Sequence, residues 1–174
     1  ELHAWPEYRG GLDITNGTTG THSVYRRFNN SDETLEIMYH VAPLLPFYEK
    51  DTQQLERKRH VGNDVVNVVY VEGTEPMPVG IITSHFTYVF ILVRLEQKMP
   101  PKFRVAVLAK EGVRPFGPAL PDPPVFDANE DFSNWLCAKL INAERAAMFA
   151  KTFATKNLRT RTVILQNLCQ NHKK

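Results

Sequence analysis

Residues 53–71 read QQLERKRHVGNDVVNVVYV and place three patterns side by side. The first part ends in a basic run at residues 57–60, and this charge sign is favoured at the C-terminus of a helix. Gly62 supplies the backbone freedom with which helices often stop. Residues 64–71 are rich in valine, which is typical of a buried strand. The stretch therefore predicts a helix that ends at a Gly-Asn-Asp turn and leads into a sheet.

Three helices are predicted from capping residues and apolar spacing. Asp51 is positioned to cap the helix before Gly62, with Gln54 completing a capping box, and Asp127 with Glu130 forms a second box. The helix after the second box has an apolar stripe at helical spacing, which consists of Phe132, Leu136, Leu140, Ala143 and Ala147. A last helix over residues 155–169 has a predicted inward side made of Leu158, Val163 (or Thr162), Leu165 and Leu168.

Strands are predicted at residues 23–28, 35–41, 64–71, 85–95 and 103–109, the last two as neighbours joined by a turn at residues 100–101. Residues 115–124 contain five prolines, which predicts an irregular surface loop. About five strands with helices clustered late predict an α/β fold: a single layered domain with a central mixed sheet flanked by helices, similar to a G domain. The strand order stays open. Residues 1–174 are expected to form one domain cut from a longer protein.

Composition and motifs exclude several classes of function. The net charge is +2, and no apolar run approaches the roughly 20 residues of a membrane-spanning helix. A P-loop and the GxSxG, HExxH and CxxC motifs are missing, so the sequence predicts neither a nucleotide site of its own nor a metal site. Cys137 and Cys169 are expected to be reduced thiols. His40, in an apolar strand, is expected to be a hydrogen-bonded core histidine.

The charge is unevenly distributed along the chain. After Glu144 there is no acidic residue, while seven basic residues accumulate towards the end. Such a run fits a solvated helix face or a surface that meets an anionic partner. Aromatic residues are not interleaved with these cations, which argues against nucleic acid as the partner.

Asn63 is the residue of the opening stretch with the most suggestive chemistry. A carboxamide beside three cations can donate a hydrogen bond to a phosphate oxygen and accept one from a water molecule. The alternative is a plain turn that terminates the helix, and the residues alone leave both interpretations open.

Lys58 to Val66, KRHVGNDVV, resembles the signature of the Rap/Ran-GAP family, whose relatives include tuberin and the Ral activators. Segments that resemble the Rap-directed branch cover essentially the whole chain in order: 8–13 (YRGGLD), 36–41 (EIMYHV), 116–118 (FGP), 120–121 (LP), 140–144 (LINAE) and 159–161 (RTR). The family commonly has His-Val-Ser-Thr where this chain has HVAP at residues 40–43, and phenylalanine where it has Tyr39. These departures bear on substrate preference more than on competence.

The resemblance implies a GTPase-activating protein that acts in trans on a small Ras-like GTPase. Rap has a threonine where its relatives carry a water-positioning glutamine, and this family supplies an "asparagine thumb" instead of an arginine finger. Asn63 falls on the thumb position. Further residues match catalytic positions (His60, Arg59, Arg159) or are expected to contact the partner (Lys58, Asp64, Arg161). Arg161 also fits a simple surface charge.

The resemblance also implies that this chain needs no cofactor, because the partner GTPase holds GTP and magnesium. The expected client is Rap, with Ral and Rheb as alternatives. An alternative of another class is a scaffold or effector domain that binds a small GTPase without accelerating hydrolysis. The expected location is the cytoplasm, with membranes encountered only through the lipidated GTPase.

Overall fold

The computed structural model describes residues 24–29, 33–45, 47–76, 80 and 83–172. The YRGGLD segment at residues 8–13 lies outside them. The chain divides into two compact units. The first comprises Glu1–Asn67 and Gly73–Thr87, and the second comprises Val68–Glu72 and Tyr88–Lys174.

The first unit contains a β-hairpin, a 3-10 turn and one helix. Strands β1 (Val24–Asn29) and β2 (Thr34–Tyr39) pair antiparallel, with Val24 opposite Tyr39. The 3-10 turn spans Ala42–Leu44, and helix α1 spans Leu55–Asn63. Pro43 lies inside the 3-10 turn, which follows β2.

The second unit is built on a four-stranded mixed sheet in the order β3-β4-β5-β6. Its strands are β3 (Val66–Val71, of which residues 68–71 belong to this unit), β4 (Val89–Lys98), β5 (Pro101–Ala109) and β6 (Val125–Asp127). Strands β4 and β5 form the predicted hairpin, with Val89 opposite Ala109. Helices α2 (Glu130–Met148) and α3 (Lys151–Asn171) follow.

The core of the second unit lies between β4, β5 and α2. Its most buried side chains are Val89, Ile91, Val105, Cys137, Ala143 and Ala147, each at most 1% exposed. An aromatic cluster joins α2 to the sheet, since the Phe126 ring lies 5.0 Å from Phe132 and 4.5 Å from Trp135. The ring of Phe153 on α3 meets Tyr88 edge-on at 5.5 Å. The mixed α/β fold expected from the sequence is confirmed.

Two local predictions about the helices of the second unit are wrong. Asp127 does not cap α2, because it belongs to β6, a short strand that the sequence did not reveal. Asn129 caps the helix instead, and its Oδ1 accepts a hydrogen bond from the Phe132 amide at 3.0 Å. The leucines predicted to face inward on α3 are exposed, with Leu158 at 68% and Leu165 at 62%. Both cysteines are free thiols, one of them buried.

Across the residues that the structure describes, no helix combines the length and apolar character needed to cross a membrane.

Candidate functional site

Helix α1 begins from a tight turn that Asp51 organises. The Asp51 carboxylate accepts hydrogen bonds from the amides of Gln53, Gln54 and Leu55, at 3.0, 3.0 and 2.9 Å. Gln54 takes the left-handed conformation with φ of 49° and immediately precedes the helix. Its side-chain amide donates to the carbonyls of Tyr48 and Asp51, not in the reciprocal pattern of a capping box. Asp51 thus holds the helix start as expected, but three residues further upstream than a cap.

Arg57 anchors α1 to the segment before it. Its guanidinium donates to the Leu45 carbonyl at 3.1 and 3.3 Å and lies 5.0 Å from the centre of the Phe47 ring. Arg57, the first cation of the basic run, therefore makes its contacts within the first unit. Lys58 and Arg59 carry exposed side chains.

Asn63 is the last residue of α1, and its side chain is exposed. Gly62, the predicted stop, lies inside the helix, and Asp64 follows as the C-cap in an extended conformation. Arg59 precedes Asn63 by four residues and shares its face of the helix, whereas Lys58 lies about 140° away around the helix axis. A carboxamide and a guanidinium are thus presented together at the helix end.

The backbone carbonyls on both sides of Asn63 receive hydrogen bonds from side chains far away in sequence. The Ser84 hydroxyl donates to the carbonyl of Gly62, and the Thr87 hydroxyl donates to the carbonyl of Asp64 at 2.9 Å. Asn67 adds a longer bond from its Nδ2 to the Val61 carbonyl, at 3.4 Å. Helix C-termini leave carbonyls without intrahelical partners, and here side chains satisfy them.

The carboxylate of Asp64 is held by a histidine that directly follows the hairpin. His40 follows β2, and its Nδ1 lies 2.8 Å from each oxygen of the Asp64 carboxylate. Because a carboxylate only accepts, Nδ1 carries the hydrogen. The His60 ring lies 5.7 Å from the His40 ring, and His60 is only 7% exposed. His60 is therefore buried inside the unit and Asp64 is bonded within it, and the expectation of a hydrogen-bonded His40 is met.

Arg159 and Arg161 lie on α3, in the second unit. Both are exposed, and residues two apart point about 200° from each other around a helix. The two arginines are therefore presented in nearly opposite directions.

The chemistry available at the end of α1 is that of hydrogen bonding and positive charge. Among the described residues, no group of three or more His, Cys, Asp or Glu side chains could hold a metal ion. A carboxamide both donates and accepts, so Asn63 can touch an anionic oxygen and a water molecule at once. A guanidinium beside it favours negative charge in the same place.

The sequence did not single out Asn67, Ser84 or Thr87. Asn67 carried a signal, since a polar residue inside a valine-rich buried strand needs a hydrogen-bonding partner. Ser84 and Thr87 gave none, because their bonds to α1 join residues that are more than 20 positions apart.

Comparison with known proteins shows the family to which this chain belongs. Residues 1–162 match the family model described as Rap/ran-GAP. The chain is 44% identical over 173 residues to the human GTPase-activating Rap/Ran-GAP domain-like protein 3, covering 98% of the chain and 17% of that protein. It is 42% identical over 174 residues to the mouse signal-induced proliferation-associated protein 1, covering 98% and 16%. The chain therefore belongs to the Rap/ran-GAP family.

A solved structure supports the fold separately. The structure of the TSC2 GAP domain superposes with a TM-score of 0.64 at 23% identity, covering 88% of this chain and 78% of that one. The chain spans about a sixth of the length of the relatives that it matches, since it covers 17% of one and 16% of the other.

Proposed function

We propose that this domain stimulates GTP hydrolysis by a small GTPase of the Rap type, and that Asn63 enters the partner's nucleotide site to position the attacking water. Membership in the Rap/ran-GAP family supports the activity in general. The observation that supports the mechanism is the position of Asn63, an exposed carboxamide on a stretch of backbone held on both sides by side-chain hydrogen bonds.

The proposed chemistry follows from what phosphoryl transfer requires. Hydrolysis of GTP needs a water molecule in line with the γ-phosphate and stabilisation of the charge on the phosphate oxygens. The Asn63 carbonyl oxygen accepts a hydrogen bond from the water, while the amide nitrogen donates to a phosphate oxygen. A residue that only positions groups acts through proximity and orientation, so its backbone must be fixed before the partner arrives.

The positive charges of α1 favour the approach of the nucleotide to Asn63. A helix carries partial negative charge at its C-terminus, which opposes the approach of a nucleotide. Arg59 offsets this potential on the face that carries Asn63, and the exposed Lys58 contributes to steering from the other side. GTP and magnesium stay with the GTPase, so this chain supplies no cofactor. Arg159 is proposed as a further catalytic contributor, and Arg161 as a contact to the GTPase.

The first experiment is single-turnover GTP hydrolysis by purified Rap, Ral, Rheb and Ras, each with and without this domain. Acceleration of Rap alone supports both reaction and client. Acceleration of Ral or Rheb keeps the reaction and changes the client. A folded domain that binds a GTPase but accelerates none would instead be a scaffold or effector, which overturns the proposal. We place the encounter in the cytoplasm, at membranes only through the lipidated GTPase.

Asn63→Ala tests the mechanism. We expect the maximal stimulated rate to fall by about two to three orders of magnitude, because the water-positioning group is lost. The free energy of unfolding should change by less than about 0.5 kcal/mol, since the side chain is exposed. Asn171→Ala is the matched control, because Asn171 is also an exposed asparagine at the last position of its helix. Full stimulation by the Asn63→Ala variant would exclude the thumb mechanism.

A further inference from the structure

Resting on the proposed function, we infer that Ser84, Thr87 and His40 are positioning residues for Asn63. Together they fix the C-terminal end of α1 and offset its negative potential, so that the carboxamide meets the nucleotide in a set orientation. All three belong to the same compact unit as α1. None of them needs to touch the GTPase.

Ser84 holds the carbonyl immediately before Asn63. Its hydroxyl donates to Gly62 and accepts hydrogen bonds from the amides of Phe86 and Thr87, at 2.9 and 3.2 Å. The side chain is therefore fixed by its own loop on one side and by α1 on the other. A hydroxyl with a set orientation can transmit that orientation to the helix end.

Thr87 holds the carbonyl of Asp64, the residue after Asn63. It is completely buried, and its hydroxyl both donates to Asp64 and accepts from the Asn67 side-chain amide at 3.0 Å. Asn67 in turn reaches the Val61 carbonyl. The residues before and after Asn63, Gly62 and Asp64, thus each have an anchored carbonyl, and the anchored carbonyl of Val61 precedes them.

His40 acts on charge as well as on position. The carboxylate of Asp64 adjoins Asn63 and would add a full negative charge to the partial charge of the helix end. The ring N–H of His40 points at both oxygens of that carboxylate. The single hydrogen on His40 Nδ1 is therefore directed at the negative carboxylate of the residue next to Asn63.

A helix end that only terminates the helix does not need this arrangement. Helices commonly end with a glycine just beyond the last turn, in a left-handed conformation that satisfies the carbonyls locally. Here the glycine of the segment lies inside α1, and the local bond from the Asp64 amide to the Val61 carbonyl is long, at 3.4 Å. Polar side chains from β3 and from the segment before β4, those of Asn67, Ser84 and Thr87, perform this task instead. The residue that they fix has an exposed side chain.

The experiment measures single-turnover hydrolysis by the accelerated GTPase over a range of domain concentrations. It separates the maximal rate from the half-saturating concentration. The variants are Ser84→Ala, which removes one hydroxyl, and Thr87→Val, which removes the other while keeping the shape. Thr87→Ser restores the hydroxyl, and His40→Asn keeps a donor near the position of Nδ1, in contrast to His40→Leu. Thr83→Ala is the control, because the Thr83 hydroxyl bonds only to Gly80 among the described contacts.

We expect Ser84→Ala, Thr87→Val and His40→Leu each to lower the maximal rate by about 10- to 100-fold, with half-saturation changed by less than about threefold. Thr87→Ser and His40→Asn should stay within about threefold of the wild type, and Thr83→Ala should match it. Amide hydrogen exchange at residues 61–64 should quicken in the impaired variants only.

The outcomes separate the inference from the proposed function. If the wild type accelerates a GTPase and Asn63→Ala does not, but Ser84→Ala and Thr87→Val keep the full maximal rate, positioning is excluded while the function stands. Positioning is also excluded if these variants lower only the melting temperature and not the maximal rate. It is excluded as well if Thr87→Ser lowers the maximal rate as much as Thr87→Val does. If the wild type accelerates no GTPase, the proposed function fails and the inference fails with it. Should Thr87→Val not fold, Ser84→Ala, at a half-buried position, decides the matter.

Discussion

The end of α1 and the proline-rich loop at residues 115–124 are both held by side chains that donate to backbone carbonyls, but the donors differ in kind. At the end of α1 the donors are neutral hydroxyls and an amide, from Ser84, Thr87 and Asn67. At the loop the central donor is an ammonium group. Lys139 of α2 reaches the carbonyls of Phe116 and Pro118 at 2.8 and 2.9 Å, and it is only 6% exposed.

The two regions also differ in where their donors come from. Trp135, Lys139 and Asn142 lie at i, i+4 and i+7, along one face of α2. Trp135 donates to the Ala119 carbonyl at 3.0 Å, and Asn142 donates to the Gly117 carbonyl at 3.2 Å. One helix thus holds residues 116–119 of the loop, whereas the end of α1 is held by separate segments of the chain. We therefore expect substitutions at the loop to lower mainly the free energy of unfolding. Substitutions around the end of α1 should lower mainly the maximal rate of stimulated GTP hydrolysis.

Lys139→Met is the change with the largest expected effect on stability. It keeps most of the aliphatic stem but removes the donor from two carbonyls and the cation over the Phe116 ring, 4.3 Å from its centre. We expect a loss of about 2–3 kcal/mol in the free energy of unfolding, measured by chemical denaturation. Lys102→Met is the control, since the exposed ion pair of Lys102 with Asp127 should contribute less than about 1 kcal/mol. Equal stabilities of the two variants would contradict the contrast between the regions.

Asp51→Ala should have a smaller effect, at the opposite end of α1. The substitution removes the acceptor for three backbone amides and with it the support for the left-handed Gln54. We expect a loss of about 1–2 kcal/mol in the free energy of unfolding. Asp51→Asn keeps one carbonyl oxygen, so its free energy of unfolding should lie between those of the wild type and of Asp51→Ala. If Asp51→Ala lowers the maximal rate of hydrolysis more than Ser84→Ala does, orientation of Asn63 depends on the start of the helix and not on its end.

The smallest expected effect is a dependence of stability on alkaline pH. Burial lowers the pKa of Lys139 below its ordinary value of about 10.5, so the unfolded chain holds this proton more tightly than the folded protein. The stability contribution of the group is therefore complete above about 10.5 and is lost as the pH falls through the lower pKa of the folded protein. The free energy of unfolding of the wild type, minus that of Lys139→Met, should rise with pH across this window. A difference that is flat or falls there would show that burial does not govern this lysine.

Local patterns were sufficient to predict most helices and strands. The valine-rich residues 64–71 contain β3, the hairpin of β4 and β5 lies where two apolar runs flank prolines, and the proline-rich loop has no regular structure. The family signature pointed to Asn63, and the helix end does present this side chain to solvent. These features depend on the backbone preferences and hydropathy of a few neighbouring residues, so they can be predicted directly from the sequence.

The predictions were wrong where the role of a residue depends on a segment that is distant in sequence. Asp127 has the composition of a helix cap, but it lies opposite Lys102 in the β5–β6 pair and forms an ion pair with it at 3.1 Å. Asn129 therefore caps α2 in place of Asp127. On α3 the leucine spacing predicted a helix, but spacing cannot tell whether another element covers that face, and Leu158 is exposed.

The sequence by itself determined the family, the order of the main elements and the residue at the tip of α1. Only the tertiary structure decided what holds that tip, because the hydrogen bonds from His40, Ser84 and Thr87 reach across 24, 22 and 23 positions of chain. Whether two such residues meet depends on how intervening strands pair and return. A serine in a loop and a threonine before a strand look ordinary until the fold brings their hydroxyls to the two carbonyls that flank Asn63.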